Sequence, residues 1–200
     1  MTGADRQHDS ALRRTVAAVA GLNLAYFAVE FAVALAIGSV ALFADSIDFL
    51  EDASINILIF IGLGWTAARR ARLGMALAFV LLAPAAATLW TAWQSFSTAS
   101  APEPLALTLT GAGALTVNFI CATMLAKHRH VGGSLTRAAF LSARNDVLAN
   151  VAIIGAGLAT AATLSPWPDL IVGLAIAAMN ADAAREVFEA AREEHRAAAP

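Results

Sequence analysis

Four carboxylates lie inside one apolar segment, residues 40–64, and they are Asp45, Asp48, Glu51 and Asp52. Asp45, Asp48 and Asp52 are spaced i, i+3, i+7, so they share one face of a helix. Glu51 lies about 100° from Asp52 around that helix, and we expect it to face a different neighbour. In a membrane span, such acids would lie near the bilayer centre, where ionisable side chains are costly and usually functional. The stripe therefore indicates either a cation site or a segment that does not cross a membrane.

The composition is typical of a membrane protein with several spans. Of the 200 residues, 59% are hydrophobic and only 14% are charged, whereas soluble domains carry roughly 25% charged residues. The net charge of −2 argues against nucleic acid as a partner, because nucleic-acid binding needs a concentrated basic surface. A single cysteine, Cys121, excludes an intramolecular disulfide. The expected surroundings are therefore the lipid bilayer.

Six segments are long and apolar enough to be spans of about 20 residues. They are residues 15–37, 40–67, 73–93, 105–126, 137–163 and 168–187. We therefore predict an all-α polytopic membrane protein with six transmembrane helices. Residues 1–14 would precede the membrane domain, residues 15–187, and residues 188–200 would form a short charged tail. The connections at Gly38-Ser39 and Leu164-Ser165-Pro166 are short, so each should join antiparallel neighbours.

The basic residues indicate the orientation of these spans. Lys and Arg cluster before span one, between spans two and three, between spans four and five, and at the end of span six, whereas the three opposite loops contain none. By the positive-inside rule, both termini are predicted to be cytoplasmic. The tryptophans agree, because Trp65 would lie at an inner boundary and Trp90, Trp93 and Trp167 at outer boundaries.

The acids of span two face further polar residues on span five, which would run in the opposite direction. At about 1.5 Å rise per residue, Asp48 lies roughly 12 Å from the outer end of its helix and Asp146 roughly 14 Å from the inner end of its own. The two can therefore meet near the midplane, and the same arrangement sets Asp52 toward Ser142. Three carboxylates and a hydroxyl on facing helices would make a divalent-cation site of oxygen ligands.

A purely structural role for the acids is the alternative interpretation. Buried acids can pair with a buried base, and Arg144 is the one candidate within the spans. It lies two residues from both Ser142 and Asp146, so it points about 200° away from their face, and it can also reach the cytoplasmic surface. One arginine cannot neutralise all the carboxylates of spans two and five. The functional interpretation is therefore favoured.

Four of the predicted spans carry short motifs. Spans one and two contain residues 21–26 (GLNLAY), Glu30 and residues 38–46 (GSVALFADS). Span five begins with residues 137–140 (RAAF), and span six begins with WPD and continues into Gly-Leu. In their order and spacing, these motifs resemble the cation diffusion facilitator (cation efflux) family, and the resemblance covers nearly all of the chain.

The resemblance implies a secondary transporter that exports a divalent metal cation of the Mn, Zn, Co, Cd or Fe class from the cytoplasm in exchange for protons. The ligand pair of the family's second helix falls on Asp48 and Asp52, and the pair of its fifth helix falls on Ser142 and Asp146. Around these ligands we expect supporting side chains, namely Asp45, Asn145, Glu51 and Asn118. The metal is then the substrate, no resident cofactor is expected, and a homodimer in a bacterial-type inner (plasma) membrane is implied. No enzyme is expected, because the chain has no nucleophile–base set, phosphate loop or cofactor motif.

The chain departs from the family pattern in two places. Ser142 stands where the family usually has His, and we expect a short form without the family's cytoplasmic C-terminal domain. Loss of the imidazole favours harder ions such as Mn²⁺ and leaves proton exchange to the clustered carboxylates. Two other functions stay open at this point. One is a non-transporting homologue that senses metal or partners a full-length carrier, and the other is a carrier of protons or organic cations.

Overall fold

The structure, a computed structural model, describes residues 3–62, 89–94, 97, 100–128 and 133–197. These residues form helices and short connections, with no strand among them. The helices are α1 (Gly3–Ile37), α2 (Val40–Gly62), α3 (residues 89–94), α4 (Pro104–Ala126), α5 (Gly133–Thr163) and α6 (Trp167–Ala197). The predicted all-α class is therefore confirmed, whereas most of predicted span three and the end of predicted span two lie outside the described residues.

Three of the described helices are long and apolar enough to cross a membrane on length and composition alone. They are Ser10–Ile37, Pro104–Ala126 and Ala143–Thr163. Helix α2 is not among them, because four carboxylates in 23 residues exceed the charge of an ordinary membrane span. Length and composition alone therefore do not identify the helix that holds the acids as a membrane span.

The two short connections join neighbouring helices, as the sequence predicts. Gly38 turns the chain between α1 and α2 with a φ of +68°, a conformation that glycine adopts without steric cost. Leu164, with a φ of +53°, turns it between α5 and α6. Helix α1 packs along α2, and α4 packs along α5.

Buried polar residues form a layer between two apolar clusters. One cluster packs the second half of α1 against the first half of α2, and includes Leu42, Leu107 and Ile153. The other cluster packs the first half of α1 against α4, and includes Val16 and Leu125. The polar residues between them are 0–3% exposed, and they are Asn23, Glu30, Asp45, Asp52, Asn56, Asn118 and Asn150. The apolar clusters therefore separate this polar layer from both ends of the bundle.

A buried carboxylate on α6 caps the N-terminus of α2. Asp169 accepts hydrogen bonds from the Ser39 hydroxyl at 2.6 Å and from the backbone N–H groups of Val40 at 2.8 Å and Ala41 at 3.2 Å. The Ser39 hydroxyl oxygen in turn accepts from the Leu42 N–H at 3.1 Å. One turn further along α6, a Cβ on Gly173 would lie only 2.6 Å from the Val40 carbonyl carbon. This contact fixes where α2, and hence its acids, begins.

Removing the cap should destabilise the fold. Asp169→Ala leaves three donors at the start of α2 without their acceptor, and we expect a loss of about 1–2 kcal/mol in unfolding free energy. The matched control is Asp182→Ala, which removes an exposed carboxylate from the same helix. The melting temperatures of the two purified variants in detergent provide the measurement, and equal values would contradict the capping role.

Candidate metal centre

A cavity of about 120 Å³ lies between α2, α5 and α6. Its lining residues are Asp48, Glu51, Asp52, Asn145, Asp146, Met179 and Asn180. Three of the four predicted ligands, Asp48, Asp52 and Asp146, thus reach one cavity from two helices. The structure brings together the acids that the rise-per-residue calculation placed near each other.

Helical spacing explains which α2 acids reach the cavity. Asp48, Glu51 and Asp52 are spaced i, i+3, i+4, so their side chains lie closest together on one face of α2. We expected Glu51 to face a different neighbour, but it lines the same cavity as Asp48 and Asp52. Asp45 shares the predicted stripe, yet it is not among the residues that line the cavity.

Residues of α5 complete one side of the cavity. Asn145 and Asp146 are adjacent in sequence and both line it, so an amide oxygen is available beside the carboxylate. Ser142 belongs to α5, one turn before Asp146, but its side chain lies outside the described residues. Its part in the ligand set therefore stays a prediction.

Asp45 and Asn118 belong to a separate chain of hydrogen bonds. Asn150 Nδ2 donates to Asp45 Oδ2 at 2.6 Å, and Asn118 Nδ2 donates to Asn150 Oδ1 at 3.0 Å. This chain crosses from α4 through α5 to α2. It links three helices beside the cavity. Side-chain hydrogen bonds of this kind join helices where polar groups are buried in an apolar interior.

A second chain supports Asp52 from the side of α1 and α4. Asn23 Nδ2 donates to Asp52 Oδ2 at 3.5 Å, and the Cys121 thiol donates to Asn23 Oδ1 at 3.4 Å. The thiol fixes the orientation of the amide, so that its N–H₂ group faces the carboxylate. Asn23 and Cys121 therefore help to orient Asp52.

None of the residues that the structure describes in the cavity lining is a base. Arg144, the one base that the structural interpretation could invoke, is exposed. Within the described part of the chain, the salt bridge present joins Arg185 to Glu189 on the surface, with Arg185 Nε and Glu189 Oε1 2.9 Å apart. A buried cluster of like charges without counter-charges attracts a cation. The structural interpretation thus loses its candidate base.

The carboxylates line the cavity without forming a closed shell around one point. Among the described residues, no three carboxyl, imidazole or thiol groups are arranged to hold a metal ion together. A cavity of this size has room for several waters. Hard cations accept water alongside carboxylate and amide oxygens, so water can complete a shell that the side chains begin.

Two lining residues on α6 were not predicted as site residues. Asn180 is buried and its Nδ2 donates to the Ala44 carbonyl at 3.2 Å, which directs the amide toward α2. Its polarity within an apolar span was a usable signal. Met179 carries no such signal, because a methionine is common in apolar helices. Its thioether adds one soft group to a set otherwise made of oxygens.

Three of the described helices are long and apolar enough to cross a membrane, as the helices of an integral membrane protein are. The family model described as the cation efflux transmembrane domain matches residues 16–194. The chain therefore belongs to the cation efflux family, as its motifs predicted, and is in general terms a membrane transporter of metal cations. No curated protein matches the chain.

Glu51 provides a test of the cavity itself, because only the structure places it there. We expect Glu51→Gln to weaken divalent-cation binding on the order of tenfold, since affinity falls with the number of charged oxygens at a site. Isothermal titration calorimetry of the purified protein measures the change. Glu103→Gln, which alters an exposed glutamate at the start of α4, is the control. Unchanged affinity in Glu51→Gln would show that this carboxylate contributes nothing to binding of the ion.

Proposed function

We propose that the protein exports a divalent metal cation from the cytoplasm in exchange for protons. Asp48, Asp52 and Asp146 would bind the ion, Ser142 or Asn145 would add an oxygen, and water would fill the remaining positions. The observation that carries the proposal is the shared cavity of the three carboxylates on two facing helices. Membership of the cation efflux family supports it independently.

Export requires that the cavity open to each side of the membrane in turn. Transporters of this kind achieve this by rocking groups of helices around a site near the midplane. Two features support such a motion here. The capped contact between Asp169 and the start of α2 joins α2 to α6, and the cavity lies where both of these helices meet α5. Movement of α5 against the α2–α6 pair would then open or close the site.

The topology of this proposal is six spans with both termini in the cytoplasm. The distribution of Lys and Arg over the connecting segments supports it. In this arrangement residues 15–187 form the membrane domain, and residues 1–14 and 188–200 are cytoplasmic. A bacterial-type inner membrane, a homodimeric state, and the absence of enzymatic activity and of a resident cofactor complete the proposal. The mass of the detergent-solubilised protein tests the dimer.

The donor set favours a hard cation such as Mn²⁺. Carboxylate and amide oxygens prevail around the cavity, and such ligands suit hard ions, whereas Zn²⁺ and Cd²⁺ prefer sites with imidazole or sulfur. Met179 is the one soft group in the lining. Cells that express the chain should therefore gain resistance to Mn²⁺. Resistance to Zn²⁺ or Cd²⁺ alone would contradict the preference for oxygen ligands.

The ligand assignment is tested by removing one acid at a time. We expect Asp48→Ala and Asp146→Ala each to abolish metal–proton exchange in reconstituted vesicles, because each removes a charged oxygen ligand from the same cavity. Asp182→Ala, which alters an exposed acid of α6, should exchange like the wild type. Normal exchange by either cavity variant, in a preparation that elutes as a folded protein, would reject the assignment.

A second candidate is a non-transporting homologue that senses metal or partners a full-length carrier. Ser142, at the position where the family usually has His, is the observation that favours it. Transport by the purified chain alone would exclude this candidate. If the wild-type chain binds metal without transporting it, and Ser142→His transports the metal, this candidate would be supported.

A further inference from the structure

One pair of buried acids lies outside the cavity and takes no part in the proposed ligand set. Glu30 on α1 and Asp45 on α2 are each 0% exposed, and their carboxyl groups lie side by side within hydrogen-bonding reach. Neither residue is among those that line the cavity. These two residues are called the carboxyl pair below.

Three oxygens of the carboxyl pair have no hydrogen-bond donor among the described residues. They are both oxygens of Glu30 and Oδ1 of Asp45. The nearby Tyr26 hydroxyl is not available to them, because it donates to the Thr110 carbonyl at 2.6 Å. Buried carboxylate oxygens that lack donors are costly. A proton bound to one oxygen of Glu30 and donated to Asp45 Oδ1 would satisfy two of these three oxygens.

Among the residues that the structure describes, no positive charge near the carboxyl pair could replace this proton. The titratable groups that face it are Tyr26 on α1, Asp48 and Asp52 on α2, and Asp146 on α5. Helix α4 contains no charged residue. On α6, Asp169 is bound to the start of α2 instead. Two adjacent carboxyl groups in such surroundings cannot both ionise.

The hydrogen-bond chain from α4 indicates which member holds the proton. Asn118 donates to Asn150 Oδ1, so the Asn150 amide must present its N–H₂ group to Asp45 Oδ2. That donor favours the charged form of Asp45. Glu30 is then the protonated member, and its O–H faces Asp45 Oδ1, the one oxygen of Asp45 without another donor.

We propose that the Glu30–Asp45 carboxyl pair is a proton-binding site, separate from the metal cavity, that releases its proton when a cation enters that cavity. The proposal deepens the proposed function and rests on it. Asp45 precedes Asp48 by one helical turn, a rise of about 4.5 Å, so a divalent cation near Asp48 lies close enough to repel the proton. The Glu30 O–H bond breaks, the proton leaves to water, and the positive charge of the cation in the neighbouring cavity offsets the negative charge left on the pair. No electron transfer and no further reactant are needed.

The test counts protons released for each ion bound. Mn²⁺ and Zn²⁺, each alone, are titrated into the detergent-solubilised full chain in weakly buffered solution with a pH indicator, and calorimetry gives the occupancy. Glu30→Gln keeps the shape of the side chain and offers Asp45 an N–H donor, but it has no titratable proton. We expect it to bind the ion and to release about one proton fewer per ion than the wild type.

A second variant and a second measurement ensure that the conclusion about proton release does not depend on Glu30→Gln alone. Asp45→Asn removes the carboxylate that accepts the Glu30 O–H and helps to hold its proton. Glu30 should then be ionised before the ion binds, so the same deficit in released protons is expected. In vesicles, both variants should lose uptake driven by a pH gradient while retaining exchange of one metal ion for another. Wild-type proton release at equal occupancy, in either variant, would overturn the proposal.

Asp146→Asn separates this inference from the proposed function. That variant should lose metal binding, because it alters a proposed ligand. It leaves the carboxyl pair itself unchanged. If Asp146→Asn binds the ion normally, the ligand assignment fails, and the proton count in Glu30→Gln still decides the role of the pair. If a second cation rather than a proton occupies the pair, calorimetry of the wild type will show two ions bound where Glu30→Gln binds one, which would also overturn the proposal.

Discussion

The structure depends on the burial of several carboxylates around a cavity whose described lining contains no base. Apolar clusters lie at either end of these acids. Bulk water therefore cannot solvate all of the carboxylates and offset the free-energy cost of burying them. What remains is hydrogen bonding to amides and the binding of positive ions. The Asn118–Asn150–Asp45 and Cys121–Asn23–Asp52 chains provide the first. Binding of positive ions agrees with the chain's membership of the cation efflux family.

Helix α2 organises the other helices because each part of it has a different partner. Its first turn is capped by Asp169 of α6, which sets its position along the bundle axis. Asp45, one turn further, faces α1 and α5. The next turn carries Asp48, Glu51 and Asp52 into the cavity. A single shift of α2 would therefore change both the distance from Asp45 to Glu30 on α1 and the shape of the cavity, which is the coupling that the proposed exchange of a cation for protons requires.

The sequence predicted the described helices, and the common level of the acids on α2 and α5, for a simple reason. The period and the rise of a helix are constant, so short connections and residue counts suffice to bring Asp48 and Asp52 to the level of Asp146. Rotation of each helix about its own axis cannot be counted in this way. Glu51 was therefore assigned to a different neighbour, although it lines the cavity with Asp48 and Asp52. Met179 and Asn180 were missed because no residue count relates α6 to α2.

The most direct test of the site is to locate the bound ion by anomalous scattering from crystals of the protein grown with Mn²⁺ or Zn²⁺. The expected result is a peak in the cavity between α2 and α5, about 2.0–2.6 Å from carboxylate oxygens of Asp48, Asp52 and Asp146. The peak should be absent from crystals of Asp146→Ala. A peak at another position in a protein that transports the ion would contradict the assignment.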